Sequence, residues 1–357
     1  MSLNSISPID GRYKKYTESL VLYFSEMAFM KYRVLMECEY LIALSEMSGV
    51  GMRKLSAREK NLIRNVYKKF SQKDAQLVSA IELKGYQSAS RQIKATNHDF
   101  KAIEYFLKEK LSKTSLKDSL EWVHFALTSE DASNIAYALM LSESLRDVFL
   151  LALEDVVSKI GHLAKNNKNA PMLARTHGQP ASPTTFGKEF KIFYSRINRQ
   201  LTQLRKYRPQ AKLNGAAGNY NALAAAYPKI DWIKFSKKFI QQINKKRVST
   251  LEASILTTQI ESSDSYVELF DIIRRINTIL IDFNQDVWRY ISDNWIGQKM
   301  KEGEIGSSTM PHKINPWFLE NSEGNLGIAN ALFEFFGRKL PISRLQRDLS
   351  NYARRYS

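Results

Sequence analysis

From Phe186 the apolar residues run Phe190, Phe193, Ile197, Leu201 and Leu204, and a second series runs Leu269, Ile273, Ile276, Leu280, Phe283, Val287 and Tyr290. Steps of three and four put each series on one stripe of an α-helix, because successive helical residues wind about 3.6 to the turn. Neither Gly nor Pro occurs between Pro228 and Gly297, so long helices are permitted there. No comparable series of alternating apolar and polar residues competes with this pattern. The expectation is an all-α chain whose long helices bury narrow seams in a bundle, often between subunits.

The breaks in this pattern are concentrated. Gly178, Pro180 and Pro183 surround His177, and Gly215 and Gly218 interrupt the polar stretch 214–221. Gly297, Gly303 and Gly306 lead into Ser307 and Ser308, which reads as a loop. Asn315 then suits a helix N-cap, with Pro316 as the first helical residue of a segment running towards Gly337. An early boundary falls near Leu116 to Ser119, dividing an N-terminal helical domain, 1–118, from a bundle domain, 119–357.

The 357 residues are enough for a large buried core, and 44% hydrophobic and 25% charged residues are ordinary for a globular protein. No basic segment followed by an apolar run opens the chain, and no apolar stretch approaches the length of a bilayer span. Cys38 stands alone, so neither an internal disulfide nor a cysteine metal cluster can form. The expectation is a cytoplasmic protein that does not engage membranes. A net charge of +17 raises nucleic acid as a partner. The basic segment 234–247 nevertheless carries Phe235, Phe239 and Ile243 at helical spacing, which reads as an amphipathic helix with a solvated basic face. No zinc-finger spacing or aromatic single-strand signature accompanies it, so no nucleic acid is expected.

Of the five histidines, His98, His124, His177 and His312 lie in polar, punctuated segments, whereas His162 lies in an ordinary helical context. HExxH, GxSxG and GxxxxGK[ST] are all absent. Acid–base chemistry by His, Ser, Lys or Glu is then the economical class, with neighbouring Thr, Asn and Lys suited to gripping anions. No metal and no cofactor is expected. Taken singly, these residues also have plain structural readings: Glu320 as a first-turn carboxylate favoured by the helix dipole, Arg12 and Arg347 as surface arginines.

The segment GSSTMPHKINP at 306–316 is very similar to the signature of the fumarase, aspartase and argininosuccinate lyase superfamily. MPHK within it, TSED at 128–131 and ARTHGQPASPTT at 174–185 resemble the adenylosuccinate lyase family in particular. SPIDGRY at 7–13, TNHD at 96–99, NGAAGNYNA at 214–222, TTQIE at 257–261 and NSEGN at 321–325 agree with that family in order and spacing.

The resemblance implies elimination of fumarate from adenylosuccinate, giving AMP, and from the succinyl-carboxamide ribotide (SAICAR, to AICAR). The residues alone leave Ser307 and Ser308 open as the base; the resemblance assigns Ser307. It makes His177 the general acid and Glu320 the carboxylate that orients it. Thr128, Ser129, Lys313 and Asn315 resemble the grip on the succinyl carboxylates. Arg12, Tyr13, Asn97, His98, Asp99, His124, Thr176, Gln259, Asn321 and Arg347 resemble positions that hold the nucleotide or support the site. A homotetramer with a central bundle, each site drawing on three subunits, is implied as well.

Similarity to the family runs to RLQRDL at 344–349 and stops before NYARRYS at 351–357. The expectation is a chain shortened at its C-terminus, lacking a third helical domain. Two readings compete with an active lyase: an inactive remnant of it, and another lyase of the superfamily acting on argininosuccinate, malate or aspartate.

Overall fold

The computed structural model describes residues 4–87, 92–298 and 314–347. Ser307, Ser308, His312 and Lys313 lie outside the described residues, as does the segment 348–357. Helices dominate, and their described residues fall into two compact units. One comprises Met1–Leu150, Arg208–Ser262 and Ser343–Ser357; the other comprises Leu151–Tyr207 and Ser263–Ile342. The boundary at 118–119 expected from sequence falls inside the first unit.

The first unit is built around the Glu26–Ser45 helix, which is buried from Ala28 to Ser45 except at Lys31. A helix buried on every side needs neighbours on every side. Here they include Ala57–Lys68, Gln72–Leu83, Asp99–Ser112, Ser129–Ser144 and Trp232–Arg247. Local chemistry fixes where several of these start. Ser25 Oγ accepts from Ala28 N at the head of the central helix. Ser56 with Glu59, and Ser71 with Asp74, form capping boxes that satisfy otherwise orphaned N–H groups. Trp232–Arg247 buries Phe235, Phe239 and Ile243, the apolar face expected of the basic segment.

In the second unit the two apolar series turn inward, the second wholly up to Ile276 and only half-buried at Leu280, Phe283, Val287 and Tyr290. Phe186–Lys206 buries Phe190, Phe193, Ile197, Leu201 and Leu204, and Asp264–Ser292 buries Leu269, Ile273 and Ile276 among others. The two helices pack together, with Phe193 edge-on to Phe283 at 5.4 Å between ring centroids. Each such side chain contributes about 1.5–3 kcal/mol by leaving water. Trp317–Lys339 packs along Asp264–Ser292, where Phe270 stacks on Phe333 at 5.3 Å.

Three details depart from the sequence expectation. Short strand pairs occur: Tyr86–Gln87 with Gln92–Ile93 and Pro171–Thr176 with Gln179–Thr185, both antiparallel, and Gln210–Lys212 with Glu252–Ser254, parallel. The Gly- and Pro-free stretch is not one helical run, because Val248 and Ser263 both take left-handed backbone. Asn244 makes the first break possible: its Oδ1 accepts from Leu251 N at 2.9 Å and its Nδ2 donates to Leu251 O at 2.7 Å. Finally, Pro316 rather than Asn315 is the N-cap, and the helix begins at Trp317. Pro316 is held at ψ 39, outside the helical well, so the start slips by one residue.

Candidate active site

Four sequence segments distant along the chain are tied together within the first unit, and the ties run through residues that are not themselves in the expected site. Arg33, Glu37 and Tyr40 lie at i, i+4 and i+7 on the buried Glu26–Ser45 helix, hence on one face. Arg33 donates to Asp99 Oδ2 at 2.9 Å and to Ser133 Oγ at 3.2 Å. Glu37 accepts from His124 N at 3.0 Å and lies 2.8 Å from His124 Nδ1. Tyr40 donates to Phe125 O at 3.0 Å. One helix stripe therefore holds the segments carrying TNHD and VHFALTSED.

These contacts set charge states. Burial pushes the Asp99 carboxyl upwards, but the Arg33 guanidinium outweighs it and the pKa falls below the usual range. For His124, burial disfavours the imidazolium; the Glu37 carboxylate, with Glu104 and Asp131 beyond it, outweighs burial and raises the pKa. The His124 ring also packs on Phe100, centroids 4.7 Å apart. His98 uses its Nδ1 to accept from Lys101 N at 3.2 Å, capping the Asp99–Ser112 helix.

The second knot is Asp131. Its side chain is wholly buried and accepts from Thr128 N at 2.9 Å, Lys212 Nζ at 2.7 Å, Asn214 N at 3.0 Å and Gly215 N at 3.1 Å. It fixes the TSED turn, with Thr128 and Ser129 half-buried at its surface, against the NGAAGNYNA segment. Asn214 continues the chain of contacts, donating to Ile255 O at 3.2 Å and Thr257 Oγ1 at 2.8 Å. Gly218, at φ +75, lies so close that a Cβ there would sit 2.1 Å from Thr257 O. Thr258 in turn hydrogen-bonds to Gln346 O, so TTQIE, with half-buried Gln259, meets the segment that ends at exposed Arg347.

Asn97, His98, Asp99, His124, Thr128, Ser129, Gln259 and Arg347 thus lie on or beside one hydrogen-bonded framework. Arg12, exposed, and Tyr13, half-buried, lie in the N-terminal turns before Lys14–Thr17.

His177 belongs to the second unit. It and Gly178 form the two-residue turn of the hairpin, at φ 53 and φ 76, with Thr176 paired to Gln179. Positive φ at both central positions is the type I′ geometry that matches strand twist, and it leaves Thr176 and His177 exposed. Arg175 braces the turn by donating to Gly178 O at 2.9 Å and places its guanidinium 5.2 Å from the Trp295 ring. Glu320, in the first turn of Trp317–Lys339, accepts from Trp288 Nε1 at 3.0 Å. Hairpin and carboxylate both lie against the C-terminal end of Asp264–Ser292, but no hydrogen bond joins Glu320 to His177 among the described residues. Asn315 and Asn321 flank Glu320 and are exposed.

Among the described residues no group of three His, Cys, Asp or Glu is placed to hold a metal ion, and no helix is long and apolar enough to cross a membrane. Arg33, Glu37, Tyr40, Asp131 and Lys212 were not among the residues expected from sequence. Their signal was present as polar side chains at helical spacing within an otherwise apolar helix, and as the acid of TSED.

A family described as lyase matches residues 11–330. Adenylosuccinate lyase of Dictyostelium discoideum is 46% identical over 98% of this chain and 73% of its own length. Those of Haemophilus influenzae and Escherichia coli are 44% and 43% identical, each over 98% of this chain and 74% of their own length. In fold, the chain is similar to 3-carboxy-cis,cis-muconate lactonizing enzyme from Pseudomonas putida, with a TM-score of 0.69 at 18% identity, covering 95% of this chain and 69% of that one. A fumarate lyase from Mesorhizobium is similar too, with a TM-score of 0.68 at 15% identity, covering 94% and 69%. This chain, mostly helical in the fumarate lyase manner and similar to these adenylosuccinate lyases over nearly its whole length, belongs to the adenylosuccinate lyase family.

Proposed function

We propose that the chain eliminates fumarate from adenylosuccinate to leave AMP, and from SAICAR to leave AICAR. The observation that carries this reading is the single framework joining TNHD, His124, TSED, NGAAGNYNA and TTQIE, with identity of 42–46% to adenylosuccinate lyases. In the reaction a base takes the proton beside a carboxylate, the carbon–nitrogen bond breaks, and its electron pair leaves on nitrogen, which an acid protonates. Ser307 is the proposed base and His177 the proposed acid, with Glu320 orienting it. The transient carbanion spreads charge into the neighbouring carboxylate, so fixed donors there lower the barrier most. Thr128 and Ser129, at the N-terminus of Ser129–Ser144, suit that role by position, because the positive end of the helix dipole favours anions. Lys313 and Asn315 are assigned to the same carboxylates. Arg12, Tyr13, Asn97, His98, Asp99, His124, Thr176, Gln259, Asn321 and Arg347 are assigned to the nucleotide end and its support.

A homotetramer in the cytoplasm is part of the proposal. Its support is the Trp317–Lys339 helix, which buries no residue within the chain. Ile328, Leu332 and Phe335 form one stripe on it and are 67%, 53% and 46% exposed. An apolar stripe of that kind calls for cover. Ser307→Ala tests the chemistry: elimination should be lost while AMP still binds. Turnover near the parental rate, with Ser308→Ala inactive instead, would reassign the base.

A further inference from the structure

We propose that Glu37 is a positioning residue that keeps His124 protonated and turns its Nε2–H outward as a fixed cationic donor for an anionic oxygen of the substrate. The inference rests on the reading of the site given above and adds to it a charge state and the residue that imposes it.

Glu37 has no contact with solvent, and no Lys or Arg pairs with it among the described residues. An isolated buried carboxylate is strongly disfavoured, so it must either bind a proton or face a cation. Both oxygens are spent on one residue: Oε2 accepts the His124 backbone N–H and Oε1 faces Nδ1. The backbone donor stabilises the carboxylate form specifically, so the proton between Oε1 and Nδ1 belongs on the imidazole. Arg33, one turn away on the same face, is committed to Asp99 and Ser133 and does not neutralise Glu37.

The other charges near His124 favour the same state. Glu104, from Asp99–Ser112, is paired with Lys101 and Lys108, and Asp131, from Ser129–Ser144, is paired with Lys212. Each adds a weaker attraction for a proton on the ring. Among the described residues, Glu37 is the anion in contact with the ring.

Geometry then directs the charge. His124 sits at φ 60 and Ala126 at φ 57, backbone that residues with side chains avoid. Glu37 on His124 N and Tyr40 on Phe125 O hold this shape from one helix face. With Nδ1 bound inward and the ring on Phe100, its remaining edge is Nε2, which has no partner among the described residues. The side chain is only 18% exposed. A cation that is mostly buried, with one unspent N–H, is a receptor for an anion rather than a solvated surface charge.

The test is a histidine ring ¹⁵N titration of the whole chain, with Glu37→Gln and Glu37→Asp beside it, and equilibrium binding of AMP and adenylosuccinate at pH 7. In the parent, His124 should be an imidazolium at neutral pH, titrating above the ordinary value of about 6.5. Glu37→Gln keeps the shape but turns an N–H towards Nδ1; the His124 pKa should fall by more than about one unit and nucleotide affinity about tenfold. That affinity should recover in part as pH is lowered, and Glu37→Asp should keep most of the raised pKa. A purely structural role would move neither the titration nor the pH dependence of binding. An unchanged His124 titration in Glu37→Gln, or a neutral ring in the parent at pH 7, overturns the proposal. A fallen pKa with unchanged affinity overturns the anion-binding half. Should the parent bind neither nucleotide, the functional reading fails, while the ring titration still decides whether Glu37 holds the proton.

Discussion

Lys212 Nζ lies 2.7 Å from Asp131 Oδ1 with both side chains wholly buried, and the pair stitches the turn at Thr128 to the glycine segment at 214–218. Two charges in the interior are tolerated only when paired and hydrogen-bonded, and here backbone donors from Thr128, Asn214 and Gly215 complete the shell of Asp131.

Removing one partner leaves the other charge buried alone. Lys212→Met should therefore lower unfolding stability by about 3–5 kcal/mol, and Asp131→Asn by a similar amount. Urea unfolding midpoints check this. A Lys212→Met protein within about 1 kcal/mol of the parent, at unchanged denaturant slope, would show that the pair does not hold the two segments.

Gly218 is required for a different reason. Its φ of +75 and the 2.1 Å separation of an added Cβ from Thr257 O leave no room for a side chain on either strand of backbone. Gly218→Ala should destabilise by about 1–3 kcal/mol and weaken nucleotide binding by shifting the loop that carries Gln259. An unchanged melting temperature would contradict the close approach.

The long helices and the apolar face of the basic segment were legible because burial there repeats every three or four residues. The site segments were legible only as motifs. Nothing in their spacing says that 97–99, 124–129, 214–218 and 257–259 meet, because the first two are tied by Arg33, Glu37 and Tyr40, which sequence presents as ordinary polar breaks in a core helix, and the last two by the buried side chains of Asp131 and Asn214. The break after Arg247 was hidden for a related reason: it depends on one side chain, Asn244, substituting for backbone partners at Leu251 rather than on Gly or Pro. The left-handed turn at His177 was marked by the adjacent Gly178, although the strands around it are too short and too rich in Pro and Thr to show alternation.

The buried carboxylate Glu39, 3% exposed, makes a prediction about acid. It accepts from Arg64 Nε and Tyr67 Oη, each at 2.9 Å, and from Lys246. Burial raises its pKa, but the two cations outweigh burial and the folded value lies below the ordinary glutamate range. A depressed folded pKa gives stability that is present above the unfolded value of about 4.3 and is lost as pH falls through the folded one. Glu39→Gln should be less stable at pH 7 yet lose less stability between about pH 5 and pH 3 than the parent. Parallel curves over that range would exclude Glu39 as a contributor to acid unfolding.

With His177 as the proposed general acid, His177→Gln should slow turnover by about two to four orders of magnitude, the usual range for a lost proton-transfer group. Glu320→Gln should cost less, because the role proposed for it is to orient rather than transfer. If the Glu320 variant proved the more damaged in a folded protein, the two roles would have to be exchanged.

The most direct test of the account is product analysis with adenylosuccinate, SAICAR and argininosuccinate offered separately to the purified chain. The account predicts one fumarate for each AMP formed from adenylosuccinate, the same ratio with AICAR from SAICAR, and no cleavage of argininosuccinate. Fumarate from argininosuccinate, with adenylosuccinate left intact, would contradict it.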